Sequence, residues 1–150
     1  MKNFTKEEVI RCYRENKQDR CEGCRLTHAV TKLPYGLDEN MEALVNEVMD
    51  PAREKLGMPI VVNSGFRCPV YNAACPGASK TSQHMRCEAI DCHCADNRRL
   101  AKIIVENGKF DQLIVYPTFI HVSWKRQGVN RKQILKKTAS GYQKVAPSQL

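Results

Sequence analysis

Two histidines and one aspartate have the residue types expected of a catalytic metal site. His84 and Asp91 lie seven positions apart, and His121 follows in a later apolar segment. That spacing cannot bind one metal from a single helical face, so we expect His84 in a loop and Asp91 on the strand that follows. Two histidines and a carboxylate leave a fourth position open for water, as is typical of catalytic zinc.

A simpler interpretation exists for each histidine taken alone. His84 could be a histidine of a surface loop, and His121 could belong to the hydrophobic core. The metal hypothesis therefore depends on whether the surrounding elements bring the three side chains together.

The pattern of apolar residues and turn residues predicts those elements. A helix over residues 4–16 begins at Thr5, with Glu8 completing a capping box. Helical periodicity from Met41 continues to Leu56, with Asp38 or Asn40 as the N-cap and a kink or fresh turn at Pro51. Further segments are a strand at 60–63, a helical turn at 70–74, a strand at 87–92, a helix at 96–107, and strands at 113–116 and 119–124. Helices first and mixed elements later predict an α+β class.

The positive charge is concentrated at one end of the chain. The formal net charge is +8, and seven Lys or Arg residues but no Asp or Glu follow from Lys125 onward. We interpret residues 136–150 as a basic, flexible tail. Such a tail favours polyanions, either nucleic acid or anionic polymers of a bacterial envelope, or it is simply solvated.

The eight cysteines allow a second metal site near the N-terminus. Cys21 and Cys24 form a CxxC pair, Cys12 lies nine residues before it, and His28 could complete a structural zinc site. Unmodified thiols or a disulfide from Cys12 to Cys21 or Cys24 are the alternatives. Because no secretory signal is visible, we expect a cytoplasmic product with reduced thiols that acts elsewhere after release. No apolar run is long enough to span a membrane.

The segment around the three candidate ligands resembles a known family. Ser82-x-His84-x-x-x-x-Ala89-x-Asp91, with His121 downstream, is similar to the Ser-x-His-x-x-Gly-x-Ala-x-Asp pattern of the M15 family of zinc peptidases. That family contains D-alanyl-D-alanine carboxypeptidases and the L-alanyl-D-glutamate endopeptidases used as phage endolysins. Further similarities are the Ser64-Gly65-Phe66-Arg67 segment, the segment 110–114, the opening residues 3–5 and the helix at 49–53.

The resemblance implies a fold, a cofactor and a set of residue roles. The expected fold is that of the Hedgehog signalling domain and the D-Ala-D-Ala peptidases, a small antiparallel sheet with flanking helices. The peptidase domain would span residues 1–135, with residues 17–36 as a cysteine-containing loop insertion. Zn²⁺ would be bound by His84, Asp91 and His121. Arg67 would stabilise the oxyanion, and Ser82 and Gln83 would contact substrate, although Ser82 is equally explained as a turn cap.

Two positions depart from the family pattern. Cys87 replaces the motif glycine, so we expect its backbone to avoid positive φ. Relatives carry Glu or Asp shortly before the last histidine as the general base, but residues 115–120 contain no carboxylate. Tyr116 is the candidate catalytic residue there, although a phenol is a poor base at neutral pH. Asp111 is nearby but has the character of a structural residue.

Three functions follow from these observations. The first is a monomeric zinc metallopeptidase that hydrolyses peptidoglycan stem peptides, with the basic tail binding anionic wall polymers. The second is a non-catalytic zinc protein that binds cell walls on the same scaffold. The third is a nucleic-acid-binding protein, which we disfavour because the basic stretch lacks interleaved aromatic residues and a second CxxC.

Overall fold

The computed structural model describes residues 1–11, 33 and 36–150 of the 150-residue chain. The CxxC pair, Cys12, His28 and most of the expected insertion at 17–36 lie outside the described residues. The structural zinc site hypothesised for them therefore stays a prediction.

Helical segments occur before and between the strands, in the order expected. They are α1 (Lys6–Ile10), α2 (Leu37–Leu44), a π-helical turn (Val45–Met49), α3 (Asp50–Leu56), α4 (Pro69–Ala74), a 3-10 turn (Gln83–Arg86), α5 (Asn97–Asn107) and a final 3-10 turn (Pro147–Gln149). Thr5 and Glu8 form the expected capping box of α1, which ends at Ile10 because Arg11 is extended. Asp96 caps α5 through a 3.0 Å hydrogen bond to the Arg99 amide.

The long second helix differs in two details from the prediction. It begins after Gly36, which is the N-cap and has a positive φ. The cap is therefore neither Asp38 nor Asn40. The helical path continues through Pro51. A π-helical turn precedes this residue, and Pro51 occupies the first turn of α3. An amide in the first turn of a helix has no carbonyl partner within that helix, so the missing N–H group of proline costs little at this position.

Six strands form one sheet whose order differs from their order in the chain. They are β1 (Val61–Ser64), β2 (Ala89–His93), β3 (Gln112–Val115), β4 (Ile120–Ser123), β5 (Gln133–Thr138) and β6 (Gly141–Lys144). The order across the sheet is β1-β2-β4-β3-β5-β6. The α+β class is confirmed, but the sheet is mixed and not purely antiparallel, since β5 runs parallel to β3.

The two faces of the sheet have opposite characters because successive side chains on a strand alternate. One face contributes Ile90, Cys92, Leu113, Ile120 and Val122 to the core, and each of these side chains is fully buried. That core also contains the apolar residues of α2, α3 and α5. The other face carries Asp91 and His121, so the helices leave it open for chemistry.

Seven of the residues 136–150, expected as a flexible tail, instead lie in strands of the sheet. Lys136 and Lys137 lie on β5, which pairs with β6 in antiparallel register. Leu150 is buried in the core. The expectation rested on charge alone, whereas the segment continues β5, whose backbone pairs with β3 and whose Ile134 side chain is buried in the core.

An ion pair between an exposed arginine and a buried carboxylate joins the beginning of β3 to the segment that leads into β5. Asp111 is 1% exposed and accepts hydrogen bonds from the Arg131 guanidinium at 2.8 to 3.2 Å. Burial raises the pKa of Asp111, but the bonds from Arg131 outweigh it and lower the pKa below its ordinary value. The structural role expected for Asp111 has this physical basis.

We expect Arg131→Ala to lower the free energy of unfolding by about 1–3 kcal/mol at neutral pH, because Asp111 loses its charged donors. A carboxyl whose pKa is lowered on folding contributes stability above its unfolded pKa and loses it as the pH falls through the folded pKa. The difference between variant and wild type should therefore shrink below about pH 4. Urea denaturation across pH measures it. Arg126→Ala is the control, because the side-chain hydrogen bond that Arg126 makes among the described residues goes to Asn40. An equal effect in both variants would contradict the assignment.

Among the described residues, no helix combines the length and the apolar character needed to cross a membrane.

Candidate metal centre

The register of the sheet places Asp91 and His121 side by side. Asp91 on β2 is directly opposite His121 on β4, and His121 is directly opposite Ile114 on β3. Residues that are directly opposite on adjacent strands project from the same face, with Cβ atoms about 5 Å apart. Strand pairing therefore brings the carboxylate and the imidazole together on the open face of the sheet.

His84 reaches the same face from the 3-10 turn that precedes β2. Ser82 caps this turn and accepts a 3.3 Å hydrogen bond from the His84 amide. The His84 ring is 2% exposed, and its Nδ1 lies 2.8 Å from the carbonyl oxygen of Gly65. Because a carbonyl only accepts, Nδ1 carries the proton and Nε2 presents its lone pair to the open face. This is the arrangement of a metal-binding histidine whose second nitrogen is held by the backbone.

The three candidate ligand atoms converge on one point. Asp91 Oδ1 lies 2.8 Å from His121 Nδ1 and 3.2 Å from His84 Nε2, and the two nitrogens are 3.3 Å apart. Ligand atoms about 2.0–2.2 Å from a tetrahedral zinc ion lie about 3.3–3.6 Å from one another. The set is thus almost preformed for one metal ion, and it is the one group of this kind in the part of the chain that the structure describes.

The electrostatics of the cluster favour ligands that are ready to bind a cation. Burial by itself raises the pKa of Asp91, but the hydrogen bond from His121 outweighs it, so the pKa lies well below the ordinary value. Burial lowers the pKa of His84, although the Asp91 carboxylate acts in the opposite direction. At neutral pH, then, Asp91 is ionised and His84 is neutral, which are the forms that coordinate metal.

Arg67 contacts the cluster on the other side of the carboxylate. Its Nη2 donates to Asp91 Oδ2 at 2.7 Å, and its Nε donates to Ser64 Oγ at 3.0 Å. Ser64 lies opposite Asp91 in the register of β1 and β2. In this arrangement Arg67 fixes the orientation of a candidate ligand, and it also lines the groove described below.

Ser82 and Gln83, the expected substrate contacts, also line this groove. Ser82 has the capping role described above, and that role was the alternative interpretation. The Gln83 amide donates a long 3.4 Å hydrogen bond to Glu88. The structure places both residues beside the cluster, and their contact with substrate stays a proposal.

Cys87 contradicts the expectation drawn from the missing glycine. Its φ is +55°, in the left-handed region, where it ends the 3-10 turn. A residue with a Cβ pays about 1–2 kcal/mol in that conformation. The thiol is fully buried, and burial raises its pKa, so the surrounding core maintains the strained backbone. Tertiary packing overrides the local preference at this position.

A groove of about 1170 Å³ runs along the open face of the sheet and contains the cluster. Tyr116 lies on its wall, stacked on Phe119 with ring centroids 4.3 Å apart. Burial and a hydrogen bond with Tyr142 raise the pKa of Tyr116 above that of an ordinary phenol. Tyr116 therefore keeps its proton at neutral pH and can act as a donor, not as a base.

Four contributors to this site were not predicted from the sequence. They are the hydroxyl of Ser64, the carbonyl of Gly65, and the Lys137 and Tyr142 side chains on β5 and β6. The Ser64-Gly65 pair carried a signal, because it belongs to the segment that resembles the family. Lys137 and Tyr142 carried none, since only the pairing of β5 with β3 brings them to the groove.

Comparison with known proteins is consistent with this site. A family model described as Peptidase M15 matches residues 2–123. This range includes all three candidate ligands and ends with β4, so β5 and β6 lie beyond it. No curated protein matches the chain.

Proposed function

Because this chain belongs to the Peptidase M15 family, we propose that it is a zinc-dependent peptidase that hydrolyses the stem peptides of peptidoglycan. The observation that carries the proposal is the convergence of His84, Asp91 and His121 at near-tetrahedral spacing in an open groove. A groove of this shape can hold an extended peptide across the cluster, as a peptidase requires.

The chemistry of the donor set fits zinc. Two imidazole nitrogens and one carboxylate oxygen leave a position open toward the groove, which is the composition of catalytic zinc sites. When bound, zinc would polarise the scissile carbonyl and lower the pKa of water in the groove. His84 Nε2, Asp91 Oδ1 and His121 Nδ1 would hold it, with His121 bound as the neutral imidazole that carries its proton on Nε2.

The residues around the cluster would act on the peptide. Arg67 would hold Asp91 with one N–H group and stabilise the developing oxyanion with others, because a guanidinium stays charged and donates from a rigid plane. Tyr116, which keeps its proton, would donate a hydrogen bond to the same oxyanion or to water. Ser82 and Gln83 would contact the peptide from the turn that carries His84.

Within the described residues, both carboxylates that line the groove are engaged and so do not accept the proton of the attacking water. Among the described residues that line it, the carboxylates are Asp91 and Asp111. Asp91 belongs to the metal cluster, and Asp111 is paired with Arg131. We therefore propose an enzyme about 10²–10⁴-fold slower than one with a positioned general base. The same observation favours the second candidate, a non-catalytic protein that binds cell walls through this groove.

Digestion of purified peptidoglycan tests the proposal. Zinc-loaded protein should release new amino termini or D-alanine, measured by amine labelling and mass spectrometry, and the products would identify the bond. Protein treated with chelator is the control. If no termini appear while the protein still sediments with peptidoglycan, the peptidase proposal is wrong and the binding protein stands. Salt-sensitive binding to DNA without binding to peptidoglycan would contradict both.

A further inference from the structure

The outer wall of the groove is built by β5 and β6, which follow the residues matched by the family model. β5 pairs with β3 so that Leu135 is opposite Ile114, in the same row as His121. Lys137, two residues after Leu135 on the same face of β5, is opposite Tyr142 of β6. Both side chains line the groove. This wall therefore adds groups of its own to the face that holds the metal cluster.

Lys137 differs from the other cations of the groove. The three arginines that line it each have a carboxylate partner, since Arg67 pairs with Asp91, Arg86 with Glu88, and Arg131 with Asp111. Within the described part of the chain, Lys125 and Lys137 have no such ion pair. Of these two lysines, Lys137 is the one that the described residues hold against an aromatic ring, because its Nζ lies 4.6 Å from the centroid of Tyr142. A cation in that position is partly ordered before any ligand arrives.

The hydroxyl groups of Tyr116 and Tyr142 line the same groove as Lys137. The oxygens of Tyr116 and Tyr142 are 3.1 Å apart, so one phenol donates its proton to the other. Each phenol has a single proton, and the acceptor of that bond therefore keeps its own proton for an outside partner. The Tyr116 ring is further ordered by its stack on Phe119. The wall thus offers an ammonium group and one hydroxyl donor together.

An ammonium group and a hydroxyl donor form a combination suited to a carboxylate. Charge-assisted hydrogen bonds to an ionised oxygen are the strongest kind available to these donors. The carboxylates of the groove do not compete, because Asp91 and Asp111 are engaged with their own partners.

The distance from the metal cluster suits a substrate that extends along the groove. Lys137 lies two strands away from His121 and two residues further along the direction of the strands. With strands about 4.8 Å apart and about 3.3 Å per residue, the two Cα atoms are about 12 Å apart. An extended peptide covers that span with about three to four residues.

We propose that Lys137, on the wall of the groove that also carries Tyr142, forms a subsite that binds a free carboxylate of the substrate, within a few residues of the scissile bond. The inference rests on the proposed peptidase function and adds a specificity to it, namely a preference for peptides that carry an unblocked acid over the matching amides.

The test uses muropeptides purified from peptidoglycan and the same muropeptides after conversion of their carboxyls to amides. Zinc-loaded wild type should bind and cleave the free acids about three- to tenfold better than the amides, because an ion pair to a half-exposed lysine is partly screened. Lys137→Gln should lose this preference in both binding and kcat/KM, and Lys137→Arg should keep it. Calorimetry gives binding, and mass spectrometry gives turnover.

Lys136→Gln is the matched control, because Lys136 is the neighbouring residue on the same strand and is exposed. It should behave as wild type. If Lys137→Gln keeps the preference while all proteins cleave, the subsite is wrong and the peptidase proposal stands. If neither wild type nor any variant cleaves, but wild type binds the acids better than the amides and Lys137→Gln does not, the subsite stands and the peptidase proposal is wrong. Equal binding of acids and amides by wild type overturns the subsite in either case.

Discussion

Replacement of His84 by alanine should abolish stoichiometric zinc binding and, with it, hydrolysis of peptidoglycan. The variant removes one of three ligand atoms that lie within 3.3 Å of one another, and it leaves the buried Asp91 carboxylate with a partner fewer. A metal ion supplies several kcal/mol of transition-state stabilisation, so we expect a loss on the order of 10³-fold or more in kcat/KM. Metal analysis of the dialysed protein and a peptidoglycan digest measure the two effects separately.

His93→Ala is the matched control for this experiment. His93 lies two residues after Asp91 on the same strand, but its Nδ1 is 2.6 Å from the Asn63 side chain and takes no part in the cluster. Zinc content and turnover should therefore stay close to those of wild type. Retention of zinc by His84→Ala, or its loss from both variants, would contradict the assignment of ligands.

The second large effect is expected at Gly65, which lies between the N-terminal helix and the metal cluster. A Cβ at this position would be 2.0 Å from the carbonyl oxygen of Val9. That oxygen accepts a 2.8 Å hydrogen bond from the Phe66 amide. Since both contacts involve backbone, Gly65→Ala must separate α1 from the turn after β1. We expect a loss of about 2–4 kcal/mol in the free energy of unfolding.

The same substitution should weaken zinc binding because the Gly65 carbonyl fixes the His84 ring. Loss of such a supporting bond typically costs about 10- to 100-fold in metal affinity. Thermal denaturation gives the stability, and competition with a chromogenic chelator gives the affinity. Gly108→Ala is the control: its φ is +74° with nothing within 4 Å of a new Cβ, so it should cost about 1 kcal/mol and leave zinc affinity unchanged. Equal affinities in both variants would show that the bond to His84 has no influence on the site.

The sequence by itself determined the local chemistry and most of the elements that carry it. The candidate ligands could be named because two histidines and an aspartate occur in a loop, strand and hairpin pattern that resembles one family. The Thr5 capping box, the Asp96 cap, and the β3–β4 hairpin follow from contacts a few residues apart. Such local preferences are set by residue type and period, so they are readable without the fold.

Only the tertiary structure decided the features that depend on distant partners. The parallel pairing of β5 with β3 turned an expected basic tail into a wall of the groove and brought Lys137 and Tyr142 to the open face. Core packing holds Cys87 at a positive φ that its own preference disfavours. The contact of Arg67 with Asp91 joins residues 24 positions apart. Such pairings are set by which strand edges and buried charges remain unpaired after the local elements have formed. The sequence of a single segment does not indicate which distant partner it will have.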